Sequence, residues 1–201
     1  MYELQVSVAK VLGTCTAQPA MKPGDSFYVS DGDIRIPDGG YICMWALQSL
    51  LPLITPKERE ICEAKGEDWM WRVHHAQCPD PNGRVIFKIG RMGQVDKGTT
   101  SVRTKALLGS AEKVDGVGDE KPTSGTLQDL RVIVEDVKGK CTSGMRPGDH
   151  FSLRSGRLYI PPGGHFCLYA LHAALPLLPA KQRALADGDW LKEDSHVICP
   201  D

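Results

Sequence analysis

Three cysteines and one histidine recur as two collinear sets: Cys15, Cys43, His75 and Cys78, then Cys141, Cys167, His196 and Cys199. Three thiolates and one imidazole make a complete tetrahedral set for zinc, and soft sulfur also suits iron or copper(I). Each set is therefore a candidate metal site, with zinc or iron as the candidate cofactor. A structural metal would staple a module whose own core is small. The spacing is unusual for such a site. No Cys-x2-Cys knuckle is present, and the ligands come from four distant segments. His75 and Cys78 are three apart, which on a regular strand puts them on opposite faces. The plainer alternative is that these cysteines simply fill the core, where free thiols are commonly buried.

Cys43 and Cys167 allow a second chemistry. Each stands three residues after a Gly-Gly pair and opens an apolar stretch that reads as a helix. At a helix start, the free N–H groups and the macrodipole favour a thiolate. His75 or His196 would serve as general base or acid, so the catalytic candidates are Cys43, Cys167, His75 and His196. The same Gly-Gly pairs, 39–40 and 163–164, could let an anion approach the backbone. No basic residue lies close by in sequence to reinforce that reading. Gly24-Asp25 and Gly148-Asp149 read as turn chemistry, with the carboxylate bonding nearby amides, ahead of an acid/base role. Trp69 and Trp190 read as core aromatics ahead of ligand platforms. His74, His150, His165 and His172 have no counterpart in the other set, so the two sites have diverged if these residues matter.

Both sets sit inside one internal repeat, the first thing to look for in a chain of this length. Cys15-Thr16 matches Cys141-Thr142, and Met21-Lys22-Pro23-Gly24-Asp25 matches Met145-Arg146-Pro147-Gly148-Asp149. Ile36-Pro37-Asp38-Gly39-Gly40 matches Ile160-Pro161-Pro162-Gly163-Gly164, and Leu51-Pro52-Leu53 matches Leu175-Pro176-Leu177. Asp68-Trp69 matches Asp189-Trp190, and Cys78-Pro79-Asp80 matches Cys199-Pro200-Asp201. Only the first copy continues, through Pro81-Asn82-Gly83 into Val85-Ile86-Phe87-Lys88-Ile89. Cys62 has no counterpart and reads as a packing residue. The expected organisation is a first module over 1–92, a linker over 93–126 rich in Gly, Lys, Asp, Ser and Thr, and a second module over 127–201 lacking the last strand. Residues 101–108 could form a strand that supplies what the second module lacks.

The motifs resemble those of a small family of prokaryotic domains with no established function. They are Gly-x-Cys near the first strand, Pro-Gly-Asp before a hairpin, Ile-Pro-x-Gly-Gly-x-x-Cys opening a helix, and Cys-Pro-Asp before the last strand. The resemblance covers both copies and nearly all the chain outside the linker. Such domains are typically single modules of this length, with cysteines at these three places. It implies a role for Cys15, Cys43 and Cys78 with Cys141, Cys167 and Cys199. It implies no reaction, and the histidines rest on the internal repeat alone.

Period-two alternation at Leu4, Val6 and Val8, and at Leu130, Val132 and Val134, predicts a half-buried strand opening each module. Asp31-Gly32 and Ser155-Gly156 each split a hairpin, Ser26–Ser30 from Asp33–Ile36 in the first copy. Apolar helices are predicted over Tyr41–Ile54 and His165–Leu178, ended or kinked at Pro52 and Pro176. A second short helix fits Pro56–Lys65 and Ala180–Asp187. A strand carrying the histidine and cysteine closes each module. The fold class is α+β: two tandem copies of a small module, each a mostly antiparallel sheet with helices on one side.

Of the 201 residues, 24 are Lys or Arg and 25 are Asp or Glu, a formal net charge of −1. That balance gives no basic face for nucleic acid and no charge block for an anionic membrane. No targeting segment is evident and no apolar run is long enough to span a bilayer, so a cytoplasmic setting is expected. There the seven cysteines read as thiols or metal ligands ahead of disulfides. Three functions compete. One is metal binding by the Cys/His cluster. Another is a small-molecule enzyme (lyase, isomerase or thiol-transfer) with a helix-start cysteine in a pocket between the modules. The third is a non-catalytic interaction module whose truncated second sheet takes a strand, in a homo-oligomer or from another chain.

Overall fold

The computed structural model of the chain describes residues 1–59, 74–94, 127–193 and 196–200. Most of the expected linker, residues 101–108, Cys62, Asp68, Trp69 and Asp201 lie outside them. The described residues form an α+β fold of ten strands in two antiparallel sheets, with four helices. The N-terminal half contributes β1 (Tyr2–Val11), β2 (Ser26–Ser30), β3 (Asp33–Arg35), β4 (Ile42–Cys43), α1 (Met44–Glu58), β5 (His75–Gln77) and β6 (Val85–Gln94). The C-terminal half contributes β7 (Leu130–Ile133), β8 (His150–Arg154), β9 (Arg157–Tyr159), β10 (Phe166–Cys167), α2 (Leu168–Ala174), α3 (Leu178–Lys181) and α4 (Trp190–Glu193).

Alternation sets the faces of β1. Leu4, Val6 and Val8 are buried, and α1 packs over that sheet. The hairpins form where the sequence put them. Asp31 and Gly32 take positive φ of 53° and 78°, and Ser155 and Gly156 take 46° and 74°. That backbone twist suits tight antiparallel hairpins.

The sheets are not confined to one half each. The larger runs β10-β3-β2-β1-β6-β5 and the smaller β4-β9-β8-β7. Ile42 pairs with Leu158 and Cys43 with Arg157, while Phe166 pairs with Ile34 and Cys167 with Asp33. The exchange continues one residue on, where the Met44 N–H donates to the Gly156 carbonyl at 2.9 Å and the Leu168 N–H to the Gly32 carbonyl at 2.6 Å. Each half thus extends the other's hairpin with the two residues before its helix. One hydrophobic cluster joins both halves, from Leu4 and Phe27 through Leu47 and Leu50 to Phe151 and Leu171.

Three expectations change. The helices begin at Met44 and Leu168, later than the apolar runs do, because the preceding residues are taken by the exchanged strands. Pro52 does not end α1, which continues through Pro52 and Pro56 to Glu58. The buried Leu50, Leu51 and Ile54 hold this stretch on the core and offset the missing amide donor. In the C-terminal half Pro176 does fall between α2 and α3. No strand forms over 196–200, where β5 has its sequence counterpart. Among the described residues, no helix is long and apolar enough to cross a membrane.

Candidate functional site

Cys15, Cys43 and Cys78 line one small cavity together with Asp80, Met21, Trp45 and Phe87. Its volume is about 20 Å³, room for a water-sized group. Three separate segments deliver the sulfurs. Cys43 is the residue that caps α1, and Cys78 follows β5, its N–H donating to Val85 at 2.8 Å. Cys15 lies in the loop after β1. That loop is zipped to the turn before β6: Gly13 N–H donates to Gly83 at 3.1 Å and Thr14 N–H to Asn82 at 2.9 Å. A Cβ on Gly13 would stand 2.0 Å from the Asn82 carbonyl oxygen, so only glycine permits this approach.

Asp80 ties the cavity together. Its carboxylate accepts the Thr16 hydroxyl at 2.9 Å and the Asn82 N–H at 3.0 Å. A Cβ on Gly83 would lie 2.8 Å from Asp80 Oδ2 and 3.0 Å from Cys15 Cα. Desolvation pulls the Asp80 pKa up, but hydrogen bonds from Asn82, Thr16 and Gly83 outweigh it and hold the carboxyl below its usual range. Asp80 is therefore ionised at neutral pH.

The thiols behave in the opposite way. Burial raises Cys43, with the amides of Ala46 and Trp45 pulling down too weakly to compensate. Burial also pushes Cys78 up to about 11. The expected helix-start thiolate is not what Cys43 presents: desolvation of the charged form outweighs the helix terminus.

His75 stands apart from Cys78. His75 is exposed on β5 and pairs with Lys88, whereas Cys78 is buried, so period two separates them. His196 is also exposed, its Nε2 3.0 Å from Glu135 Oε2. Among the described residues, no three His, Cys, Asp or Glu side chains stand at spacing that could hold a metal ion. In the C-terminal half Cys167 is buried ahead of α2, while Cys141 and Cys199 are half-buried against the core. Trp190 is 65% exposed, against its reading as a core aromatic. Asp25 and Asp149 do make turns, accepting the N–H of Lys22 at 2.9 Å and of Arg146 at 2.7 Å. The Gly-Gly pairs are turns as well, with the Gly40 and Gly164 amides donating to Pro37 and Pro161.

Sequence reasoning did not single out Asp80 or Trp45. The shared Cys-Pro-Asp motif was a signal for Asp80, and nothing local marks Trp45. A second feature it missed is the strand exchange itself. At one corner Asp33 lies 3.6 Å from His165 and 3.5 Å from Arg35. Burial raises the Asp33 pKa, with the neighbouring His165 and Arg35 opposing the rise. At the corresponding corner Arg157 lies over the rings of Tyr41 and Tyr159. Compared with protein-family models, curated proteins and solved structures, the chain gives no match.

Proposed function

We propose that the chain is a metal-binding protein whose site is the cysteine cavity of the N-terminal half. Cys15, Cys43 and Cys78 would supply three thiolates and Asp80 a carboxylate, a donor set suited to zinc or iron. The observation that carries this reading is convergence: three cysteines from three segments line one cavity beside an ionised carboxylate. The donors are not at ligand spacing, so on this reading metal uptake has to bring them closer together. His75 and His196 take no part. On this reading the chain is a duplicated module, akin to the small prokaryotic domains it resembles, in which the first copy keeps the site and the second supports it through the exchanged strands. The raised thiols of Cys43 and Cys78 speak against either of these two as a nucleophile in the free protein.

Binding must displace protons from Cys43 and Cys78, so affinity should rise steeply with pH through the neutral range. Titration of the full chain with cobalt(II), followed by zinc competition, is the test. One equivalent with a thiolate charge-transfer band is expected, lost in Cys43→Ser and Cys78→Ser and kept in His75→Ala. A chain that takes up no stoichiometric cobalt, zinc or iron, or whose affinity is flat with pH, overturns the reading.

A further inference from the structure

The first sheet contains, in occupied form, an arrangement that the second leaves open among the described residues. In the N-terminal half β6 lies along β1, and Val85, Phe87 and Ile89 cover the apolar face of Leu4, Val6 and Val8. In the C-terminal half the matching β7 is the last strand of its sheet among the described residues. Leu130, Val132 and Val134 are only half-buried there, and Ile133 is 53% exposed.

Backbone direction matches too. Val134 exchanges hydrogen bonds with Asp149 and Gly148, as Val8 does with Asp25 and Gly24. By alternation Leu130 and Val132 also face β8, and Arg131 and Ile133 turn their N–H and C=O groups outward. Their counterparts Gln5 and Ser7 face Gly90 and Lys88 of β6. Charge is complementary as well. The edge carries Asp129, Asp136 and Glu135, the last also 3.0 Å from His196, against one Arg131, while β6 carries Lys88 and Arg91.

We infer that the outer edge of β7 is a docking site for an extended segment of a partner protein, with apolar residues at alternate positions and a basic residue between them, added in the register β6 holds on β1. Main-chain bonds to Arg131 and Ile133 would fix the strand. Its apolar side chains would complete the cover over Leu130, Val132 and Val134. Its basic residue would fall diagonal to Glu135, within reach across the sheet face. This inference is independent of the metal site.

The probe is a labelled peptide with the sequence of residues 84–92, added to the full chain and followed by fluorescence anisotropy. Saturable binding of one peptide per chain is expected. Ile133→Pro should weaken it at least tenfold, because it removes an outward N–H and leaves the bonds to β8 in place. The peptide supplies a second test that needs no folded variant. In β6 the Ile89 N–H points away from β1, to His74, so by alternation Lys88 points toward β1. N-methylation at the Lys88 position should abolish binding, and at the Phe87 position should leave it within about twofold. Failure to saturate, or binding indifferent to both N-methyl position and Ile133→Pro, overturns the inference. So does a concentration-dependent dimer that Ile133→Pro dissolves and the peptide does not, since the occupant would then be a second copy.

Discussion

Leu4, Val6 and Val8 on β1 and Leu130, Val132 and Val134 on β7 follow one pattern and end in different surroundings. The first three are at most 3% exposed, whereas the second three are half-buried. Alternation decides which face of a strand is apolar. It does not decide how deeply that face is buried, which depends on the neighbour. β6 is present beside β1, and β7 has no such neighbour among the described residues. The two halves teach that one hydrophobic pattern in sequence can end at two different depths of burial.

The sharpest way to break this comparison is truncation at matched positions. Leu4→Ala should cost about 2–5 kcal/mol, the range for a fully buried leucine. Leu130→Ala should cost less than half as much, because part of its side chain is already in water. Urea denaturation of both variants decides the matter. Equal losses would mean that the C-terminal strand is as well covered as the N-terminal one.

A smaller effect is expected at Gly13 and Gly139, which match in the repeat but are glycine for different reasons. Gly13 has no room for a Cβ, whereas Gly139 has open space and a φ of +103°. Gly13→Ala should cost about 1–3 kcal/mol as an overpacking change. It should also free the Cys15 loop, speeding alkylation of Cys15. Gly139→Ala should cost about 1–2 kcal/mol from backbone strain alone and leave Cys15 labelling unchanged. Thermal melts and mass-resolved alkylation separate the two. An unchanged Cys15 rate in Gly13→Ala would show that the zip does not hold the cavity.

Much of this was legible in the sequence, for identifiable physical reasons. Period two found β1 and β7, and Asp31-Gly32 and Ser155-Gly156 found the hairpins, because both signals are local. The strand exchange was not legible. Ile42–Cys43 carries no mark of its partner, and Arg157–Tyr159 lies more than a hundred residues away. The site was half legible. The repeat grouped Cys15, Cys43 and Cys78, and the structure brings these three to one cavity. The repeat also added His75, although the three-residue spacing to Cys78 already implied opposite faces. The thiol pKa direction could not be read, because a helix start argues for a thiolate and only the three-dimensional packing shows that burial outweighs it.

The smallest effect tests the comparison most selectively, at Glu58 and its counterpart Gln182. Both are at most 2% exposed. Glu58 accepts the Gly32 N–H at 3.1 Å, and Gln182 donates to the Gln128 carbonyl at 3.1 Å. Burial raises the Glu58 pKa to about 7, with Asp31 and Asp33 adding to the rise and the Gly32 and Arg59 contacts opposing it. A folded-state pKa above the unfolded value means that Glu58 supports folding most when protonated. That support is complete below pH 4.5 and is lost progressively as pH climbs to about 7. Glu58→Gln installs the residue the C-terminal half already carries, and should flatten the stability profile between pH 5 and about 7.5 while leaving Gly32 an acceptor. Denaturant midpoints across that window provide the measurement. A variant that keeps the wild-type slope would place the titrating group elsewhere and remove this difference between the halves.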